Sequence, residues 1–130
     1  MSTALTSETV QVAAEKMTQQ HVGALIIVDE SGGPVGILTD RDLVCRVLAE
    51  RRDPAATPIQ AVMSAAPVVA RVGDLIEEAA FTMRQQGVRR LPIVNASGKA
   101  IGLVSLDDLI VLLTAELGQT AAAVRMNRGP

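Results

Sequence analysis

The sequence predicts a mixed α/β (α+β) fold built from two copies of one β-α-β-β-α unit. Residues 10–50 and 76–116 align without a gap at a constant offset of 66, and 16 of the 38 positions between 13–50 and 79–116 are identical. Within each copy, apolar residues recur first at helical spacing and then in two short runs rich in β-branched residues. A period this long, present only twice, indicates a duplicated unit rather than a solenoid. The two halves are expected to face each other, with any binding site where they meet.

Each unit begins with a short extended segment, predicted at about residues 3–5 and 68–71, and continues with an amphipathic helix. In these helices the apolar residues fall at i, i+3, i+4 and i+7. They are Val10, Ala13, Ala14 and Met17 in the first unit, and Ile76, Ala79, Ala80 and Met83 in the second. Asp74, with Glu77 three residues later, forms a candidate capping box for the second of these helices.

A β-hairpin and a closing helix complete each unit. The predicted hairpin strands are residues 25–28 and 35–38 in the first unit, and 91–94 and 101–104 in the second, on either side of turn-rich loops. The predicted closing helices are residues 40–51 and 106–117.

The two repeats account for nearly the whole chain. The first is assigned to residues 1–52 and the second to 67–117, and the linker and lead-in at 53–66 are marked by prolines and alanines. Residues 118–130 are expected to form a C-terminal tail that extends the last helix or frays.

The second closing helix contains the run Leu-Ile-Val-Leu-Leu at 109–113, which is apolar on every face because Leu112 stands where the first helix has Arg46. A helix that is apolar all round must be buried on both sides. In so small a protein the second burial is expected to come from another chain. This pattern favours a homodimer.

Composition excludes several functional classes. The chain has 130 residues, a formal net charge of −2, and Phe81 as its only aromatic residue. It therefore has neither a basic footprint nor a stacking platform for a nucleic acid polymer. Single Cys45, expected to be a packed thiol, and single His21 provide neither a cysteine-rich zinc site nor a catalytic triad. With no visible secretory signal or bilayer-spanning run, a cytoplasmic protein without enzymatic activity is expected.

One motif, Gly-h-h-[Thr/Ser]-x-x-Asp with h apolar, recurs at the predicted strand-to-helix junctions. It supplies Thr39 and Asp42 in the first unit, and Ser105 and Asp108 in the second. Such a pair can simply cap the first turn of its helix, and spacing alone favours this structural interpretation. It can also bind a ligand, because a helix N-terminus offers spare N–H groups and positive potential to a phosphate.

The whole chain resembles a tandem pair of CBS domains, the regulatory modules named after cystathionine β-synthase. The resemblance covers about residues 3–117 and rests on the two units in register, on the hairpin ends Gly-Ile-Leu-Thr-Asp-Arg-Asp (36–42) and Gly-Leu-Val-Ser-Leu-Asp-Asp (102–108), and on Val-Arg-Arg-Leu-Pro-Ile-Val (88–94). It implies two repeats packed about a pseudo-twofold axis, with two clefts that bind adenosine-containing ligands. AMP, ADP or ATP are expected ahead of S-adenosylmethionine or NADH.

The resemblance also implies roles for individual residues. Asp42 and Asp108 would accept hydrogen bonds from ribose hydroxyls, and Thr39 and Ser105 would donate to phosphate oxygens. The apolar starts of the hairpins would wall the adenine; they comprise Gly23, Ala24 and Leu25 in the first repeat, and Arg90, Leu91 and Pro92 in the second.

The two sites are expected to be unequal. Arg89 and Arg90 open the second hairpin, where the first has two small residues. Guanidiniums near a cleft would bind phosphate oxygens, or else form exposed or intersubunit salt bridges. Arg41 precedes the carboxylate of the first motif, and Asp107 precedes that of the second. Because a second carboxylate repels phosphate, the second motif is expected to hold a less anionic ligand or none.

The sequence thus predicts a non-catalytic regulatory, energy-sensing module that signals through dimer contacts or through a separately encoded enzyme or transporter. The alternative is a ligand-free oligomerisation or scaffold module whose two motifs are only helix caps. The lead-in at residues 59–63 has no counterpart before the first repeat, so contacts made through that segment are in doubt for repeat one.

Overall fold

The computed structural model describes residues 2–66 and 68–125. The first repeat contains β1 (Thr3–Leu5), α1 (Val10–Gln20), β2 (Ala24–Val28), β3 (Pro34–Thr39), α2 (Asp40–Leu43) and a π-helical continuation of α2 (Val44–Leu48). A 3₁₀ turn (Ile59–Ala61) and β4 (Ser64–Ala65) follow. The second repeat contains β5 (Ala70–Arg71), α3 (Ile76–Gln86), β6 (Arg90–Val94), β7 (Ala100–Ser105) and α4 (Leu106–Arg125).

The predicted β-α-β-β-α order is confirmed in both repeats. One sheet has the strand order β1-β2-β3-β4 and the other β5-β6-β7. In each, the first strand is parallel to the second, and the hairpin strands are antiparallel. The register is also duplicated, because Ala24 pairs with Thr39 and Arg90 pairs with Ser105. Each motif hydroxyl therefore lies beside the first residue of its own hairpin.

The amphipathic faces of α1 and α3 form the two cores as predicted, with Val10, Ala13 and Met17 buried in one and Ala79 and Met83 in the other. The predicted capping box of α3 is wrong by one residue. Asp74 instead accepts a hydrogen bond from the Arg71 amide at 2.9 Å, which closes a turn before the helix. Glu78, not Glu77, accepts from the Leu75 amide at 2.9 Å and caps α3.

The closing helices end at different places from those predicted. The first ends at Leu48 rather than residue 51, because the Arg51 amide bonds to the Leu48 carbonyl and Arg51 adopts a left-handed φ of 58°. The second runs through residue 117 to Arg125. Residues 126–130 of the predicted tail lie outside the described residues.

The linker and lead-in contribute to the core and the sheet of the first repeat, although they directly precede the second in the chain. Ile59 and Val62 belong to the same buried cluster as Leu25 and Leu38. Strand β4 extends the first sheet through antiparallel pairing with β3. We use "first lobe" for residues 2–66 and "second lobe" for residues 68–115.

The lobes face each other through their hairpins. The Ala100 amide donates to the Gly32 carbonyl at 3.0 Å, and β2 contacts β7. This arrangement agrees with two repeats packed about a pseudo-twofold axis, and it leaves a cleft on each side of the contact.

The apolar run of α4 is buried on one side only. Leu109 is 3% exposed, whereas Ile110, Val111 and Leu112 are 46–67% exposed. Cys45, predicted to be packed, is exposed on the π-helical segment. Its equivalent in α4, Val111, is 67% exposed, so this helix position faces away from the core in both repeats. No helix within residues 2–66 and 68–125 has both the length and the hydropathy to cross a membrane.

Candidate functional site

The first cleft joins the motif of the first repeat to the hairpin start of the second. Thr39 and Asp42 lie on one side, and Arg89 and Arg90 on the other. The remaining lining residues are mostly apolar: Ile37, Ser64, Ala65, Ala66, Val68, Val88, Leu91 and Pro92. The cleft encloses ≈ 200 Å³, less than the roughly 300 Å³ at which ligand pockets usually begin, so a nucleotide would extend beyond its mouth.

The second cleft has the reciprocal composition. It combines Ser105 and Asp108 with Gly23 and Ala24 of the other repeat, and it also contains Arg90. Its other lining residues are Ser2, Val22, Ile26, Ile101, Gly102 and Leu103. It is larger, at ≈ 600 Å³, and falls within the usual range for small-molecule pockets.

Both motifs form complete capping boxes. The Asp42 amide donates to Thr39 Oγ1 at 3.1 Å, and the Thr39 amide donates to Asp42 Oδ2 at 2.9 Å. In the second repeat the Asp108 amide donates to Ser105 Oγ at 3.0 Å, and the Ser105 amide donates to Asp108 Oδ2 at 3.1 Å. The motif therefore caps the first turn of its helix in both repeats, as the structural interpretation predicted.

Capping leaves each motif able to bind a ligand. A hydroxyl that accepts from an amide keeps its own proton to donate, and a carboxylate has about four lone-pair sites. The box uses Oδ2 of each carboxylate, whereas Asp42 Oδ1 lies 3.9 Å from Arg46 Nε. The two motifs differ in burial, because the Asp42 side chain is 15% exposed and Asp108 is an exposed residue.

Charge is distributed unequally between the clefts. The first contains Arg89 and Arg90, although Arg89 Nη2 also lies 3.6 Å from Asp107 Oδ1 in an exposed ion pair. At the second cleft, Asp108 lines the wall, and Asp40 Oδ2 lies 3.2 Å from where a side chain on Gly23 would begin. The first cleft is therefore the better environment for a phosphate.

Two of the site residues expected from the sequence lie away from both clefts. Leu25 is fully buried in the core of the first lobe, because successive residues of a strand face opposite sides and its neighbours Ala24 and Ile26 face the cleft. Arg41 is exposed on α2 and is not among the lining residues of either cleft.

Sequence reasoning missed the contribution of the lead-in. Ser64 and Ala65 line the first cleft because β4 adds to the first sheet beside the motif. A two-residue strand is too short to show a periodic signal, so the sequence pattern did not point to β4. Within the described residues, no three His, Cys, Asp or Glu side chains cluster as metal ligands would.

Comparison with known proteins agrees with this architecture. The family model of the CBS domain matches residues 3–49 and 59–115. The CBS domain-containing protein YhcV of Bacillus subtilis is 40% identical over 111 residues, which cover 85% of this chain and 77% of YhcV. Protein MK0525 of Methanopyrus kandleri is 38% identical over 105 residues, 80% of this chain, and the match spans only 53% of MK0525.

The fold is shared with solved structures as well. The CBS domain pair of protein MJ0100, solved in complex with 5′-methylthioadenosine and S-adenosyl-L-methionine, superposes with a TM-score of 0.72 at 25% identity. That likeness covers 86% of this chain and 90% of the other. Two matched repeats in register, the predicted strand order and these relatives together establish that the chain belongs to the CBS domain family.

Proposed function

We propose that this chain is a non-catalytic regulatory module that binds an adenine nucleotide, AMP, ADP or ATP, in the clefts between its two repeats. The observation that carries the proposal is the composition of the clefts: each unites a hydroxyl–carboxylate pair at a helix start with the hairpin start of the other repeat. The adenosine-containing ligands of the MJ0100 CBS pair support the same ligand class.

The proposed contacts follow from the donor and acceptor groups. Asp42 and Asp108 accept from the ribose hydroxyls, since a carboxylate suits two adjacent donors. Thr39 and Ser105 donate to phosphate oxygens near the positive ends of their helices. Pro92 in one cleft and Ala24 in the other contact the adenine face.

A ligand held by both repeats would bias their relative orientation. Such a population shift is limited by the difference in affinity for the two arrangements. We propose that the shift is read by a second copy of the chain and by a regulated enzyme or transporter, so that the module senses cellular energy status.

Thermal unfolding tests ligand binding directly. At a hundredfold above its dissociation constant, a ligand adds about 2.7 kcal/mol to the free energy of unfolding. AMP, ADP or ATP should raise the melting temperature, and S-adenosylmethionine and NADH serve as competing probes. Unchanged melting with all five, together with no heat in calorimetry, would remove the proposal.

Asparagine variants separate ligand binding from capping. Asp42→Asn and Asp108→Asn keep an oxygen that can accept from the capped amide but lose the charge that attracts the ribose hydroxyls. Each should weaken binding at its own cleft and leave the unliganded melting temperature nearly unchanged. The matched control is Asp74→Asn, since Asp74 also accepts from a backbone amide but lies outside both clefts.

Dimerisation is proposed through the exposed apolar helix surface. Val44 and Ile110 occupy equivalent positions of the two closing helices, and both are more than half exposed. Val111→Glu should yield a monomer in sedimentation velocity while keeping the circular dichroism spectrum of the native chain. Its melting temperature should fall by no more than the loss of dimerisation explains. Val72→Glu is the control, because this valine is similarly exposed but lies outside the helices. A native chain that sediments as a monomer at micromolar concentration would reject the dimer.

A ligand-free scaffold is the second candidate function, favoured by the complete capping boxes. It predicts a dimer whose sedimentation and melting ignore nucleotides. The thermal panel therefore separates the two functions.

A further inference from the structure

Arg90 occupies a position that no other described lining residue shares, because it lines both clefts. It is the first residue of β6, and its antiparallel partner is Ser105, the motif hydroxyl of the second cleft. The chain around it, from Val88 to Pro92, forms one wall of the first cleft. One arginine thus borders both candidate ligand clefts.

The equivalent position of the first repeat is occupied by Ala24, which pairs with Thr39 in the same register. Alanine has neither the length nor the donors to serve a second cleft. A side chain that lines both clefts is therefore found at this position in the second repeat and not in the first.

The two neighbouring arginines differ in their ion pairs. Arg89 has Asp107 as a carboxylate partner at 3.6 Å. Within the part of the chain that the structure describes, Arg90 forms no salt bridge and is exposed, so its long side chain can turn toward either cleft.

The two clefts depend on Arg90 to different degrees. The first has Arg89 as a second cation. In the second, Arg90 is the only cation among the described lining residues, and Asp108 contributes a carboxylate. Asp40 Oδ2 lies near the lining residue Gly23, 3.2 Å from where a side chain on that glycine would begin. Without Arg90, a phosphate in the second cleft would meet net negative charge.

Resting on the proposed nucleotide binding, we propose that Arg90 is a phosphate ligand shared by the two clefts and that it makes them antagonistic. Arg90 has a single flexible side chain, so a rotamer that brings its guanidinium to a phosphate in one cleft takes it away from the other. A nucleotide in the first cleft therefore withdraws Arg90 from the second, which then binds uncharged adenosine in preference to AMP. The coupling should lie at about tenfold, within the range usual for linked sites.

Calorimetry with AMP and adenosine measures this coupling. In native protein saturated with AMP at the first cleft, AMP should bind the second cleft about tenfold more weakly than it does in Asp42→Asn, whose first cleft is impaired. Adenosine should bind the second cleft equally in both proteins. Asp108→Asn, which should weaken only the weaker of the two binding steps, assigns that step to the second cleft.

Two arginine variants test whether Arg90 causes the coupling between the clefts. Arg90→Ala should weaken AMP binding at both clefts and abolish the effect of Asp42→Asn on the second. Arg89→Ala is the matched control, since Arg89 lines only the first cleft; it should weaken AMP there and preserve the coupling. Both side chains are exposed, so the folded state should survive, which a melting curve verifies.

The outcomes separate this inference from the function on which it rests. AMP could fill two sites, with an affinity at the second cleft that does not depend on whether the first is occupied or on Arg90. In that case nucleotide binding stands and the sharing of Arg90 is wrong. If Arg90→Ala weakens one cleft alone, the sharing is also wrong. If neither AMP nor adenosine binds the native chain, both proposals fail.

Discussion

The two lobes share the order of their three repeat strands and the same motif, yet within the described residues only the first is completed by chain from outside its repeat. Ile59 and Val62 fill its core, and β4 extends its sheet. The Thr57 carbonyl also accepts from the Val10 amide at 2.9 Å, so the linker covers the start of α1. Among the described residues, the second sheet has no fourth strand. Duplication of a sequence therefore does not guarantee duplication of its packing.

Surface composition follows this difference. The second lobe exposes Val72, Leu75 and Phe81, whose equivalents 66 positions earlier are Thr6, Thr9 and Glu15. Thr9 caps α1 by accepting from the Val12 amide, whereas Leu75 offers no such group and Glu78 performs the capping. Equivalent elements thus reach the same helical geometry through different side chains.

The largest expected effect comes from removing the side chain that the linker inserts into the first lobe. Ile59 is fully buried, so Ile59→Ala should reduce the free energy of unfolding by about 2–5 kcal/mol through lost burial and a residual cavity. Urea denaturation measures it. Ile101→Ala, at a 45% exposed site of the second lobe, is the control and should cost far less. Equal losses would show that the lead-in is not part of the first core.

Gly36 on β3 and Gly102 on β7 are equivalent positions, and only Gly36 has a further strand, β4, beside it. A methyl group on Gly36 would lie 2.5 Å from Met63 Sδ and 2.9 Å from the Ser64 carbonyl oxygen, because β4 approaches closely there. Gly36→Ala should therefore cost about 1–3 kcal/mol by overpacking. At Gly102 the nearest atom is 3.6 Å away, on Ile93. Gly102→Ala should be neutral or slightly stabilising, and a reversed order in urea denaturation would contradict the assigned position of β4.

The capping boxes should behave alike despite the unequal lobes. Thr39→Ala and Ser105→Ala each remove an acceptor for one helical amide, at 3.1 Å and 3.0 Å respectively. Each should lower the free energy of unfolding by about 1 kcal/mol. If chemical denaturation finds no loss for either, the capping hydrogen bonds do not stabilise these helices, and the structural interpretation of the motif fails.

The smallest effect concerns the hairpin turns. Asp29 Oδ1 accepts from the Ser31 and Gly33 amides at 2.9 and 3.0 Å, and Asn95 Oδ1 accepts from the Ser97 and Lys99 amides at 2.9 and 3.1 Å. Only the aspartate titrates. Hydrogen bonds from the Ser31 hydroxyl and then from the Gly33 amide lower the pKa of the Asp29 carboxyl below its usual 3.8.

A lowered folded-state pKa means that the charged turn stabilises the protein above pH 3.8 and that this contribution is lost as the pH falls through the folded value. NMR titration of the Asp29 carboxyl should show the lowered midpoint. Asp29→Asn should copy the Asn95 turn and remove this part of the acid sensitivity. An Asp29 midpoint at or above its usual value would contradict the turn geometry.

Local patterns in the sequence determined the repeats, the order of elements, the buried faces of α1 and α3, and the capping pairs Thr39–Asp42 and Ser105–Asp108. These features depend on contacts within a few residues or across one hairpin, so spacing alone encodes them. The errors at Asp74 and Arg51 are also local, and lie at helix ends where several hydrogen-bonding patterns compete.

Only the tertiary structure decided what meets across the lobes. The lead-in packs on the first lobe, and Leu25 lies in the core of that lobe. Each motif lines a cleft together with the start of the other repeat's hairpin, and Arg90 lines both clefts. Such contacts join residues far apart in the chain through sheet pairing and the meeting of two lobes. The residue spacing within one repeat cannot predict these contacts, because both repeats have nearly the same apolar pattern. The repeats differ in which segments of the chain pack against them.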